Sequence, residues 1–319
     1  MIVFVLCAPH RGTHDIFERS RRFDFRIVSY NRLLRSRRLP RATYVFSDFD
    51  RLNFRELEMA GRVFRRLADA GVRALNDPAR VRQRFALLRA LHDRGYNRFD
   101  VGRVEDGQRP ARLPVFLRTQ SAHRGPLSDL LHDQDAVDRA IEGALLAGVP
   151  LRELMLVEYC AEPVATGLFR KLSVFRVGPA MVPSVSVHES SWNAKCGEQG
   201  IAGGELYDEE LAIVEDNRFG DAIRPAFDIG QIDYGRADFG LVGGQPQVYE
   251  INTNPKVSLV VTHPFAARVQ ASQRSFERFE DALEGIDTVE PGAGVLLDDP
   301  ELKVQRYHDR WMSFARWTP

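Results

Sequence analysis

Residues 236 to 255 read RADFGLVGGQPQVYEINTNP, two alternating runs around a turn-like GGQP, and this pattern specifies a β-hairpin. Side chains alternate faces along a strand, so Arg236 and Asp238 share one face, and Val248, Glu250 and Asn252 share another. With the turn centred on Gly244, Leu241 pairs with Gln247, Asp238 with Glu250, and Arg236 with Asn252. The four polar groups then converge on one patch. Two carboxylates opposed across a sheet repel each other, so this register asks for a cation between them. Asp238, Glu250 and Asn252 offer oxygen ligands only, which suits Mg²⁺, or Mn²⁺ with the same hard donors, with phosphate oxygens and water completing the shell. Arg236 beside them suits accumulating anionic charge. A solvent-exposed hairpin face would carry the same residues. A slip of one residue would put Asp238 and Glu250 on opposite faces.

The 319 residues carry 44 basic and 44 acidic side chains. Zero net charge argues against nucleic acid or an anionic membrane as the main partner. No stretch approaches the roughly 18 apolar residues of a membrane span. The opening MIVFVLCAPH is apolar over eight residues with no basic region before it, which reads as a buried strand rather than a signal peptide and leads us to expect a cytoplasmic protein. Cys7, Cys160 and Cys196 lack CxxC spacing, so neither a disulfide framework nor a zinc site is expected. Only Lys171, Lys195, Lys256 and Lys303 among the basic residues are lysines, and arginine fills the remaining positions.

Residues 2–8, 25–30 and 42–47 read as strands, Asn53 caps a helix running to about Ala70, and VRAL after Gly71 reads as another strand. This order predicts a parallel α/β domain over residues 1–76. A second helix is expected from Asp77 and Pro78 to Gly95, with Val81, Phe85, Leu88 and Leu91 as its apolar stripe. Residues 96–112 read as a connector, 113–120 as a strand, 134–147 as a helix and 153–160 as a buried strand, which makes 77–160 a second unit. LFRKLSVFRV and AMVPSVSVH are two alternating runs joined by Gly178 and Pro179, read as an antiparallel hairpin, and 207–226 reads as helical. A third unit spans 161–290. In the tail, 291–319, the helical spacing of Tyr307, Trp311 and Phe314 suits docking on the body or on a second copy in a homo-oligomer.

RAD, a short turn and YEINTNP together resemble the C-terminal signature of the ATP-grasp superfamily, in which an Arg-x-Asp strand and a Glu-x-Asn strand hold Mg·ATP. The resemblance covers most of the chain and extends to carboxylate–amine ligases such as D-alanine:D-alanine ligase. It implies an α/β fold, α+β in the ATP-binding part, behind an N-terminal parallel α/β domain. It also implies that Arg84 in RVRQRF and Arg118 in VFLRTQ reach the phosphates, that Glu158, Tyr159 and Cys160 carry the adenine, and that Lys171 lines the phosphates. Lys195 in SSWNAKC is implied at the γ-phosphate, Asp238, Glu250 and Asn252 as metal ligands, and Arg236 as the residue that steadies the transition state. Two departures stand out. Arginines replace the usual lysines at 84 and 118, and the glycine-rich flap is reduced to SAHRGPLS, where Ser121, His123 and Arg124 stand beside a single glycine, Gly125.

The activity so implied is ATP-dependent joining of a small-molecule or peptide carboxylate to an amine through an acyl phosphate. A kinase, or a degenerate protein that binds nucleotide without turnover, keeps the same site. His10 and His14 follow the first strand, where α/β domains bind ligands, and a capped or solvated loop would look the same. Trp192 suits either the nucleotide or the core.

Overall fold

The computed structural model of the chain describes residues 1–19, 22–121, 125–287 and 292–315. The flap residues His123 and Arg124 and the side chains of Trp311 and Phe314 lie outside the described set. The first 76 residues build β1 (Ile2–Leu6), β2 (Phe25–Ser29), α1 (Tyr30–Arg35), β3 (Arg38–Leu39), β4 (Thr43–Phe46), α2 (Phe54–Asp69) and β5 (Ala74–Leu75). The strands form a parallel sheet, as the strand and helix spacing predicts, and the structure sets their order as β2-β1-β4-β5. Its central strand is buried on both faces, as parallel strands are. Val3 and Val5 pack with Leu33, Met59, Val63 and Leu67 under α1 and α2. Ile2, Phe4 and Leu6 pack on the other side with Phe17, Phe175 and Phe279. The Asn53 cap forms a full box with Glu56, each side chain bonded to the other's backbone N–H at 3.0 Å.

The middle of the chain contains α3 (Arg84–Asp93), β6 (Val101–Arg103), β7 (Val115–Thr119), α4 (Gln134–Leu146) and β8 (Leu154–Glu158), with the strands in the antiparallel order β6-β8-β7. Two expectations need correcting here. The helix begins at Arg84 and not at Pro78, because the backbone N–H of Arg82 donates to the Gly230 carbonyl and the Gln83 side-chain amide donates to the Phe49 carbonyl, which keeps residues 81–83 out of the helix. Val81 therefore lies outside the helical stripe. The stretch read as a connector contains β6, whose pairing of Val101 with Val157 is a long-range contact that local sequence does not signal.

The larger sheet follows, built from β9 (Pro163–Ala165), β10 (Leu168–Val177), β11 (Ala180–Pro183), β12 (Val187–Glu189), β13 (Tyr234–Val242) and β14 (Gln245–Asn252). Its order is β11-β10-β13-β14, with β9 and β12 paired to the first half of β10. The helical region divides into α5 (Gly204–Asp216) and α6 (Gly220–Gly230), because Asn217 turns left-handed at φ 49°. Helix α7 (Ala266–Ile286) backs the sheet through Phe279, Leu283 and Ile286. Its buried Ser272, Ser275 and Glu280 dilute the apolar stripe that would announce it. Strand β15 (Val295–Leu296) pairs with β3, and α8 (Pro300–Ala315) closes the described chain. In that last helix Leu302 is buried while Tyr307 is 74% exposed, so this tail aromatic does not dock on the body.

Candidate active site

The hairpin of β13 and β14 turns on Gly243 and Gly244, both at positive φ (56° and 74°), the geometry of a two-residue turn that only glycine adopts freely. Val242 pairs with Gln245, so Leu241 faces Pro246 and not the expected Gln247. Carried on unchanged, that register would set Asp238 against Tyr249 and turn Glu250 away. A β-bulge intervenes. Tyr249 is the extra residue, and beyond it Asp238 pairs with Glu250 and Arg236 with Asn252. Because a bulge puts neighbouring side chains on the same side, Tyr249 and Glu250 both line the cleft. Gly240 makes room for the ring: a Cβ there would lie 2.3 Å from the Tyr249 hydroxyl oxygen.

Each carboxylate is embraced by cations. The Asp238 carboxylate, almost wholly buried, accepts bonds from the Ser173 hydroxyl (3.0 Å) and Arg236 Nε (2.8 Å), and Lys171 Nζ stands 3.4 Å away. Glu250 accepts from Arg84 Nη2 at 2.6 Å, with Arg118 Nη2 at 3.7 Å. Burial alone would raise the Glu250 pKa, but the charges of Arg84 and Arg118 outweigh it and hold the group below the usual carboxylate range. For Arg236 the balance has the same sense: burial opposes its charge, and Asp238 more than restores it. Arg118 is the exception. Burial first, and then Arg84, lower its pKa to about 10, and its buried Nε has no hydrogen-bond partner among the described residues. A cation with an unfilled donor, next to three others, is suited to an anion.

The apolar part of the lining of this cleft of about 330 Å³ comes from Leu88, Phe99, Phe116, Val157, Phe169 and Trp192. Trp192 packs its ring 4.8 Å from that of Phe116 and 5.9 Å from that of Tyr159, so it spans the cleft between the two antiparallel sheets. Tyr159 and Cys160 line the same wall, where burial raises both of their pKa values. Glu158 lines it too, yet its carboxylate is committed elsewhere: Arg112 donates from its backbone and guanidinium, and the Asp100 N–H from 2.9 Å. Lys195 is exposed at the cleft on the loop after β12. That loop is clamped by Glu189, whose Oε1 accepts the backbone N–H groups of Lys195, Cys196 and Gly197 at 2.8, 2.6 and 2.7 Å. Arg170 turns to Glu209 at 2.6 Å, which leaves Lys171 as the basic residue of that strand facing the carboxylates.

Among the described residues no group of three or more His, Cys, Asp or Glu stands together as a metal site. The hairpin supplies two carboxylates and one amide, all hard oxygen donors. The Asn252 amide oxygen accepts the Asn254 N–H at 2.8 Å, and a carbonyl oxygen retains a second lone pair after one such bond. The donor set therefore fits Mg²⁺. Sequence reasoning did not single out Ser173 or Tyr249, although Ser173 lies two residues beyond Lys171 and must share its face. All three cysteines are free thiols. No helix among the described residues is long and apolar enough to cross a membrane.

No protein-family model matches the chain, and no curated protein sequence matches it significantly. Solved structures do. The D-cycloserine synthetase DcsG superposes with a TM-score of 0.51 at 16% identity, covering 89% of this chain and 99% of that one. The VanG D-Ala:D-Ser ligase from Enterococcus faecalis gives 0.50 at 11% identity, covering 89% and 98%. The chain has the ATP-grasp fold. An ATP-grasp RimK domain protein from Sphaerobacter thermophilus is also similar, with a TM-score of 0.45 at 14% identity, covering 86% of this chain and all of that one. Within the ATP-grasp fold the cleft lies between the antiparallel sheet of β6 to β8 and the larger sheet, with the hairpin carboxylates on its floor.

Proposed function

We propose that the chain is an ATP-dependent ligase that joins a small-molecule or peptide carboxylate to an amine, with ATP and Mg²⁺ (or Mn²⁺) in the cleft. The observation that carries this reading is the bulged hairpin, which sets Asp238 opposite Glu250 amid Arg84, Arg118, Lys171 and Arg236. Four cations exceed two carboxylates, and a polyphosphate supplies the missing negative charge. The aromatic lining, with Trp192 against Phe116 and Tyr159, suits a purine ring.

In the first step a substrate carboxylate oxygen bonds to the γ-phosphorus while the bond from that phosphorus to the β,γ-bridging oxygen breaks, and ADP leaves with the electron pair. Such a transfer asks a protein mainly for positioning and charge stabilisation. Arg84, Arg118, Lys171 and Lys195 would hold the phosphates, and Arg236 would face the charge that develops at the acyl carbonyl. Mg²⁺ held by Asp238, Glu250 and Asn252 would neutralise the phosphate oxygens. Tyr159, Cys160 and the backbone beside Glu158 would frame the base.

Calorimetric titration of ATP, with and without Mg²⁺, tests the site. Wild type is expected to bind in a Mg²⁺-dependent manner, and Asp238→Ala to lose that binding and all turnover, with Glu250→Ala behaving alike while both stay folded. Undiminished ATP-dependent turnover in both variants would refute the assignment. The Arg84–Glu250 pair favours a second reading, in which the cleft binds nucleotide without turnover. Nucleotide binding with no ADP release over any acid and amine pair would select it.

A further inference from the structure

Asp48 follows β4 at the carboxyl end of the parallel sheet, left-handed at φ 60° and with its side chain 2% exposed. Its Oδ2 accepts the Cys7 N–H at 2.9 Å and stands 3.0 Å from His10 Nδ1. Its Oδ1 accepts from Asn254 Nδ2 at 3.2 Å, and Arg51 Nε lies 3.8 Å away. With the Asp48 oxygen as acceptor, the bond takes the Nδ1–H of His10, and in the tautomer so selected Nε2 carries the lone pair. The His10 side chain is 24% exposed, and no described residue bonds to its Nε2. Its backbone, at φ −106° and ψ 17°, interrupts the 3₁₀ helix Ala8–Arg19 that follows β1.

This pair adjoins the hairpin. Thr13 Oγ1 lies 2.9 Å from the His10 carbonyl oxygen and 3.0 Å from Asn254 Oδ1, two residues beyond Asn252. Phe49 and Asp50, next to Asp48, line a cavity of about 40 Å³ together with Arg84, Glu250 and Asn252. His14 is the contrasting case. It is fully buried against Phe4, ring centroids 4.1 Å apart, and belongs to the core.

We propose that His10, oriented by Asp48, is the general base that deprotonates the incoming amine, an inference that rests on the ligase reading above. A primary amine reaches the site as an ammonium, which is not a nucleophile. Nε2 takes one proton, the nitrogen bonds to the acyl carbon, and the carbon–oxygen bond to phosphate breaks with the electron pair leaving on phosphate. The second proton departs with the phosphate, so that RCO–OPO₃²⁻ and R′NH₃⁺ give RCONHR′, HPO₄²⁻ and the proton held on His10. Asp48 is a positioning residue that fixes the tautomer.

The full-length chain is assayed with ATP, Mg²⁺ and a pooled panel of L- and D-amino acids, for amide formation and, in parallel, for hydroxamate formation with added hydroxylamine. Hydroxylamine is unprotonated at neutral pH and needs no base to capture an acyl phosphate. His10→Asn is expected to lower amide formation by about 10²–10⁴-fold while hydroxamate formation falls far less. Asp48→Asn is expected to reproduce that split through the wrong tautomer. If Asp48→Asn does not fold, the partly exposed His10 carries the test alone. Equal losses of both products in His10→Asn, or undiminished amide formation, overturns the base assignment and leaves the ligase reading in place. Neither product from wild type overturns the ligase reading and the base with it.

Discussion

His14 and His10 lie four residues apart and do opposite things, and the difference is burial. His14 has no exposed surface, and its ring Nε2 finds no hydrogen-bond partner among the described residues. Desolvation lowers its pKa from 6.5 to about 4. His188 follows the same course, to about 4, through burial and the nearby Arg170 and Arg268. Both rings are neutral in the folded protein at pH 7. The sign of the consequence follows from proton counting. Between pH 6.5 and 4 the unfolded chain binds protons that the folded chain refuses, so stability falls as the pH drops through that window and is level above it. A difference of about 2.5 pKa units amounts to about 3 kcal/mol per histidine at most. His14→Phe should flatten the fall in thermal midpoint between pH 6.5 and 4.5 by about half, since His188 remains. An unchanged slope in the variant would show that His14 takes up its proton without unfolding.

At the scale of the element, the hairpin depends on one bulge, and the bulge depends on one glycine. A Cβ at Gly240 would sit 2.3 Å from the Tyr249 hydroxyl oxygen and 3.1 Å from Cζ. The ring would have to leave, breaking the 3.0 Å bond from its hydroxyl to the Cys160 carbonyl oxygen. We expect Gly240→Ala to cost about 1–3 kcal/mol and to weaken nucleotide binding, with Tyr249→Phe in the same chain recovering part of the loss, because the nearest clash is with the hydroxyl. Thermal denaturation of the two single variants and the double variant reads this out; an undisturbed Gly240→Ala would mean that the ring yields freely. The same hairpin marks the limit of what sequence conveys. Alternation and the paired glycines place Asp238 opposite Glu250, but through a turn one step out of register. Period-two patterning counts residues along one strand and cannot register a bulge, which is set by how Tyr249 packs across the sheet. Likewise the caps at Asn53 and Gly71 fixed α2 locally. The start of α3 depended on a carbonyl at Gly230 far along the chain, and the Glu158 carboxylate is taken up by Arg112, a contact that no local spacing signals.

Over the whole molecule, the parallel sheet and the larger sheet behave as one packed body. Phe4 and Leu6 share a core with Phe175, Tyr234 and Phe279, and the Thr43 hydroxyl donates to the Ile286 carbonyl oxygen at 2.7 Å. The tightest joint is Asn76, buried and left-handed at φ 63°. Its amide nitrogen donates to the carbonyl oxygens of Phe46 (2.9 Å) and Tyr234 (2.8 Å), and its oxygen accepts from the N–H groups of Asp233 (2.7 Å) and Tyr234 (2.9 Å). The end of β4 is thus fastened to the start of β13. Asp48 lies two residues beyond β4, and Asp238 lies within β13, so the same joint bears on the distance between Asp48, which orients the proposed base, and the hairpin carboxylates. Asn76→Ala strands four backbone groups and puts a Cβ-bearing residue without a polar tip at positive φ. We expect it to cost about 3–5 kcal/mol in urea unfolding, with Asn76→Gly about 1 kcal/mol less damaging because glycine accepts that φ. Both variants should still unfold in one transition, since the core spans the joint. A loss under about 1 kcal/mol in Asn76→Ala would mean that water replaces the amide at all four bonds.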